Sequence, residues 1–260
     1  MQPENPNDPD FIARIREAAP DLVVLGGYGK ILKGPILQVP RLMCINLHGG
    51  RLPKYRGSSP LNWALINGDK EFGISIIKVD TGVDTGDLLL ERLFPIAAGD
   101  TIADLHHTVN ARFPPLLVEA LRGVRDGTLA PRKQPSGGSY YPLRFSEDGF
   151  VLWDMLTAEQ AHNRIRALTE PYPCAFSHYG GRKVKLLASE LPEEDFHGEP
   201  GRIYRISKKG VLVCASDKCL WLTRAEFEDG TGLSAAAERY AKLDTVRDFI
   251  LTSIAQGGAR

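Results

Sequence analysis

Asp21-Leu22-Val23-Val24-Leu25, followed at once by Gly26-Gly27-Tyr28-Gly29, is the stretch on which the fold turns. An apolar run this short, with two adjacent valines, has strand length and β-branched character rather than the length of a helix. Because it does not alternate with polar residues, it reads as a strand buried on both faces, the habit of parallel sheets covered by helices. The glycines then end it. Upstream, residues 11–19 carry apolar side chains at helical spacing, which predicts a helix with Asp10 as its N-cap. Downstream, residues 43–47 repeat the strand signal. Ser59-Pro60 opens a helix through about residue 67, with proline near the first turn where it is tolerated. Residues 74–79 and 88–94 read as two more strands. Residues 101–122 read as a long helix, broken or kinked at Pro114-Pro115. Strands alternating with helices argue for an α/β domain with a mainly parallel sheet.

The character of the chain changes near residue 126. The stretch to residue 149 is rich in Gly, Pro, Ser and Lys/Arg, lacks sustained periodicity, and reads as a linker crossing the surface. Residues 157–168 follow as a helix capped by Thr157. Short strand signals come next at 175–179, 184–189, 201–206, 211–215 and 220–223, separated by Gly, Pro and Asp turns. That spacing suggests a small β-barrel or sandwich. A last helix is expected over about residues 235–254. The division is thus a first domain over 1–128, a linker over 129–149, and a second domain over 150–260.

Lys plus Arg equals Asp plus Glu at 32 each, so the whole chain carries no electrostatic footprint for nucleic acid. No stretch approaches the roughly 20 apolar residues that span a bilayer. The first ten residues are polar and rich in Pro and Asn, unlike a signal peptide, so the cytoplasm is the expected location. Cys44, Cys174, Cys214 and Cys219 lack C-x-x-C spacing, and reduced, mostly buried thiols are expected. His106, His107, His162, His178 and His197 lack metal-type spacing and read as solvent or packing residues. Trp63, Trp153 and Trp221 read as core residues.

Three polar residues stand where loops should leave strands. Asn46 and His48 end the second strand, and residues two apart on a strand point the same way. Asp84 lies just past the third, within Asp80-Thr81-Gly82-Val83-Asp84-Thr85-Gly86-Asp87. Open α/β sheets bind ligands outside the carboxyl ends of their strands. An Asn amide can donate to a developing oxyanion, a neutral imidazole can take a proton near pH 7, and a carboxylate can orient that imidazole. Together they suit acyl transfer to an amine. A buried, hydrogen-bonded histidine would give the same pattern, so spacing alone leaves both readings open.

Ile45-Asn46-Leu47-His48-Gly49-Gly50-Arg51-Leu52-Pro53-Lys54-Tyr55-Arg56-Gly57, then Pro60-Leu61-Asn62-Trp63, then residues 80–87, resembles the 10-formyltetrahydrofolate-dependent formyltransferase family. The resemblance spans nearly the whole chain. It implies a Rossmann-like α/β formyltransferase domain, short at its N-terminus, then a linker and a small OB-like β-barrel. It also implies catalytic roles for Asn46, His48 and Asp84. Folate contacts would come from Lys30, Ile31 and Leu32, from Gly50, Arg51, Leu52 and Pro53, and from Asp80, Thr81, Gly82, Val83 and Asp84. The family usually has Ser-Leu where this chain has Gly50-Arg51, and Arg51 could reach an anion or stay solvated. Met1 aligns inside the family's first domain, as if roughly 60 residues, two β–α units, preceded it.

The implied co-substrate is 10-formyltetrahydrofolate, with no metal. Pro60-Leu61-Asn62-Trp63, Leu105-His106-His107 and residues 170–177 look like the branch that formylates nucleotide-linked amino sugars, so a sugar amine is the expected acceptor. Methionyl-tRNA is the alternative acceptor. Hydrolysis of formylfolate, or an inactive folate-binding remnant, are the readings from other classes. No membrane partner is implied, and a homodimer is allowed.

Overall fold

The protein was analysed as a computed structural model that describes residues 3–248, 250 and 251. The chain divides into two compact units. The first takes in residues 3–64, 70–97 and 105–143, and the second takes in 65–69, 98–104 and the described residues from 144 onward.

The first unit opens with helix α1, Pro9–Glu17. Asp8 rather than Asp10 is its N-cap, and its side chain accepts from the Asp10 N–H. Pro9 explains the shift: with no N–H to lose, proline fits the first helical position and moves the cap back one residue. Strand β1, Leu22–Gly26, helix α2, Gly34–Leu37, and strand β2, Met43–His48, follow. After them come strand β3, Arg56–Gly57, helix α3, Pro60–Ile66, and strands β4, Glu71–Lys78, and β5, Leu88–Pro95. Helix α4, Ile102–Arg125, runs through Pro114-Pro115 without ending, so of the expected break or kink the break does not occur. Strand β6, Tyr140–Tyr141, completes the unit.

The main sheet has the order β1-β2-β4-β5. Only β1 and β2 pair parallel; β2 with β4 and β4 with β5 are antiparallel. The sheet is therefore mixed, not mainly parallel. The connection from β2 to β4 explains the difference. A seven-residue helix such as α3 spans about 10 Å, less than half the length of β4, so it does not carry the chain back for a parallel return. Position in the sheet also corrects the reading of β1. As an edge strand it is half-buried, with Val24 40% exposed, while the six interior residues of β4 are all buried.

The second unit holds helix α5, Ala158–Leu168, whose Thr157 cap forms a capping box with Gln160. Five strands follow: β7, Ala175–Tyr179; β8, Arg182–Glu190; β9, Ile203–Ser207; β10, Gly210–Cys214; and β11, Cys219–Phe227. They form one antiparallel sheet in the order β7-β8-β11-β10-β9. Gly180 and Gly181, both at positive φ, make the two-residue β7–β8 hairpin turn that a primed turn requires. The expected barrel does not close among the described residues. Both free edges are already occupied: β7 by Phe150 and Val151, and β9 by Tyr240 and Ala241. The expected terminal helix over about residues 235–254 is met only in part: a short helix α6, Leu233–Ala236, and an irregular stretch come first, residues 246–248, 250 and 251 are helical, and residues 249 and 252–254 lie outside the described residues.

Cys214 and Cys219 stand opposite one another in the β10–β11 register and are disulfide-bonded, which corrects the expectation of four reduced thiols. Cys44 and Cys174 are free and buried. Burial pushes the Cys44 thiol up to about 11, so it is not a nucleophile at neutral pH. Trp153 and Trp221 are buried as expected, whereas Trp63 is half-buried and its indole N–H donates to the Pro142 carbonyl. No helix among the described residues is long and apolar enough to cross a membrane.

Candidate active site

Strand β2 ends with Asn46 and His48 leaving the same side of the sheet. The loop between β4 and β5 brings Asp84 to them from the neighbouring strand. His48 Nδ1 lies 3.6 Å from Asp84 Oδ2, and Asn46 Nδ2 lies 3.5 Å from Asp84 Oδ1. The Asn46 contact is too long for a strong hydrogen bond, so its amide keeps donor capacity for a ligand. His48 is buried, and Asp84 is nearly so.

The imidazole is oriented by the chain itself. His48 Nε2 lies 2.6 Å from the Tyr55 carbonyl oxygen. A carbonyl only accepts, so Nε2 carries the proton and the lone pair of the neutral ring sits on Nδ1, the nitrogen facing Asp84. Tyr55 is fixed in turn: its ring is buried and stacks on Tyr141 at 5.0 Å between centroids. The loop after β2 is held close against the sheet. Ser75 Oγ donates to the Gly50 carbonyl, and a side chain at Gly73 would run into the Arg51 backbone.

Asp84 sits at φ +52°, a conformation that aspartate tolerates better than most residues. Its carboxylate accepts from the Gly57 N–H at 2.9 Å. Its loop is closed by Asp80, whose Oδ1 accepts from the Gly82 N–H and from Thr85 Oγ1. Gly57, at φ +93°, has no room for a Cβ because the Tyr141 carbonyl oxygen occupies that space. Gly57→Ala is therefore expected to lower unfolding free energy by about 1–3 kcal/mol. A denaturant midpoint equal to that of the parent protein would contradict this.

These three residues form part of the wall of one cavity of about 620 Å³ within the first unit. Of the anticipated folate contacts, Lys30, Ile31, Leu32, Asp80, Gly82, Val83 and Asp84 line it. Gly50, Arg51, Leu52, Pro53 and Thr81 do not. Arg51 is ion-paired to Glu71 at 2.6 Å, and Leu52 is buried against Ile77 and Leu88. Gly50 packs beneath His48, where a Cβ would come 2.6 Å from Nε2. Ile31, Val83 and Leu143 line the cavity while keeping much of their apolar surface exposed. No group of three or more His, Cys, Asp or Glu among the described residues is arranged to hold a metal ion.

Sequence reasoning missed the frame around the triad. The two-residue strands β3 and β6 are too short to give a periodic signal, and Gln134 stands in the stretch read as a linker. That stretch packs on the first unit as far as Leu143. Arg132 bridges to Leu88, and Ser139 donates to the Pro53 carbonyl.

The sequence matches the family described as formyl transferase over residues 1–121, and the formyl transferase C-terminal domain over residues 145–238. It is 37% identical over 230 residues to methionyl-tRNA formyltransferase of Acetivibrio thermocellus, covering 88% of this chain and 73% of that protein. It is 35% identical over 245 residues to the protein of the same name from Clostridium beijerinckii, covering 94% and 78%. The crystal structure of an N-formyltransferase from Helicobacter canadensis, with folinic acid and dTDP-3-aminofucose, superposes with a TM-score of 0.62. Its sequence is 22% identical, with 78% of this chain and 75% of that one covered, which shows a shared fold.

These comparisons overturn the expectation of a sugar amine as acceptor. Relatives at 34–37% identity over most of the chain bear the methionyl-tRNA name, while the sugar enzyme shares only the fold. The motif residues stand mostly outside the cavity. Of the motifs that suggested a sugar, only Pro60 lines the cavity. Asn62 and Leu105 are buried and so report on packing, and residues 170–177 lie in the second unit, outside the cavity wall.

Proposed function

The chain belongs to the formyl transferase family, and from that premise we propose that it moves the formyl group of 10-formyltetrahydrofolate to the amino group of methionyl-tRNA. The convergence of Asn46, His48 and Asp84 on one cavity carries this reading. The cavity falls within the usual size range of small-ligand sites. Lys30, Ile31 and Leu32 on one loop and residues 80–84 on the other would hold the folate, with Ile31 and Val83 offering apolar surface to its ring. Gly50, Arg51, Leu52 and Pro53 support the site rather than touch the ligand.

Within that site the geometry supports the following roles. Asn46 Nδ2 donates to the formyl oxygen as negative charge develops there. His48 Nδ1 takes a proton from the attacking amine, directly or through one water. Asp84 attracts the imidazolium that forms, takes that proton back from His48 Nδ1 and passes it to the departing folate nitrogen, so the proton lost by the amine ends on the leaving group. In this assignment catalysis resides in the domain begun by residues 1–128 and closed over by the stretch that follows.

Balanced net charge does not oppose a tRNA acceptor. Net charge averages over the chain, whereas a nucleic acid reads a local patch. Arg205, Lys208 and Lys209 are exposed together on the β9–β10 hairpin. The test is a panel of acceptors with formyl-labelled folate: methionyl-tRNA, uncharged tRNA and a nucleotide-linked amino sugar. Label is expected on methionyl-tRNA alone, with binding that weakens steeply as salt rises. Label on the sugar, or released as formate with no acceptor, would overturn the reading.

A further inference from the structure

We propose that Gln134 is a positioning residue that holds Asp84 in place beside His48, an inference that rests on the functional reading above. Gln134 stands outside every element near the site, yet its amide uses its full hydrogen-bonding capacity there. Nε2 donates to the Asp84 carbonyl at 2.7 Å and to the Gly86 carbonyl at 2.8 Å. Oε1 accepts from Arg56 Nε at 3.1 Å and from Arg56 Nη2 at 2.7 Å. Only this orientation of the amide fits, because two carbonyls lie at one end and a guanidinium at the other.

The bonds close a circuit around the carboxylate. Arg56 and Gly57 form β3, and the Gly57 N–H donates to Asp84 Oδ2. β3 pairs with Tyr140 and Tyr141, and the Arg56 guanidinium lies over the Tyr140 ring at 5.5 Å. Gln134 thus ties the backbone of Asp84 to the same residues that hold its side chain. Asp84 is at positive φ, and the Gln134 bond to its carbonyl helps hold its backbone there. The carboxylate then faces His48 Nδ1 rather than solvent.

Two variants separate positioning from general support. Gln134→Glu keeps the shape and an acceptor for Arg56, but turns acceptors toward the Asp84 and Gly86 carbonyls. Gln134→Met keeps the volume without charge and serves if the first variant fails to fold. In the full chain, kcat with methionyl-tRNA is expected to fall about 10–100-fold. KM for both substrates and the melting temperature should stay near the parent values. Hydrogen exchange at the Gly57 amide, which reports the Asp84 carboxylate directly, should quicken in both variants. Parent-like Gly57 exchange, or parent-like kcat, in the folded variants would overturn the proposal. So would a rise in KM at unchanged kcat. If the parent protein forms no formylmethionyl-tRNA, the functional reading fails, while Gly57 exchange still decides the role of Gln134.

Discussion

His48→Ala is expected to slow formyl transfer about 10²–10⁴-fold, the range that a positioned acid–base group contributes. The size follows from how narrowly the ring is held. Its Nε2 proton is committed to the Tyr55 carbonyl, so Nδ1 is the nitrogen that serves the amine, and Asp84 is the group that meets its charge. Removing the ring takes away the base, and with it the imidazolium that Asp84 would face once the amine has given up its proton. The burial of His48 means that alanine also leaves a void, so the melting temperature must be measured alongside. Loss of turnover in a protein that still melts cooperatively near the parent temperature is the expected result. A His48→Ala protein with parent-like turnover would remove His48 from the mechanism. His48→Gln offers a useful contrast, since it can still donate to a carbonyl but takes no proton.

Asn46→Ala carries the second large effect, about 2.7–4 kcal/mol of transition-state stabilisation, or 10²–10³-fold in kcat. The amide has donors to spare because its contact to Asp84 is long. Unlike His48, it makes no short bond to the loop after β2, so its loss should leave the fold nearly untouched. KM for formylfolate is expected to change little, since the interaction strengthens only as charge builds on the oxygen. A kcat unchanged with KM raised would assign Asn46 to ground-state binding instead. Asn46→Asp should be at least as damaging, because a carboxylate would oppose the developing oxyanion.

The sequence made the triad legible for a simple reason. Asn46 and His48 are two residues apart on a strand, and strand geometry puts such residues on one side regardless of what surrounds them. Asp84 could be placed at a strand end by position, but its pairing with the other two needed the motif resemblance, since nothing local says that the β4–β5 loop returns to β2. The direction of β4 was not legible. An apolar run has the same pattern whether its partner is parallel or antiparallel, and the length of α3 was the clue that mattered. The half-exposed β1 was misread because Leu22–Leu25 are apolar on both sides whether or not a neighbour covers them. Gln134 left no trace, because one polar residue in a Gly/Pro-rich stretch has no period and its partners are 48–78 positions away. The acceptor was misjudged because short motifs, of which only Pro60 lines the cavity, were read as if they touched substrate.

The most direct measurement is a crystal structure of the protein with a stable folate analogue carrying an acyl carbonyl at the N10 position. The carbonyl oxygen is predicted within about 2.7–3.1 Å of Asn46 Nδ2, with His48 Nδ1 on the side open to an incoming amine. An analogue seated elsewhere, or with its carbonyl turned away from both Asn46 and His48, would contradict the account.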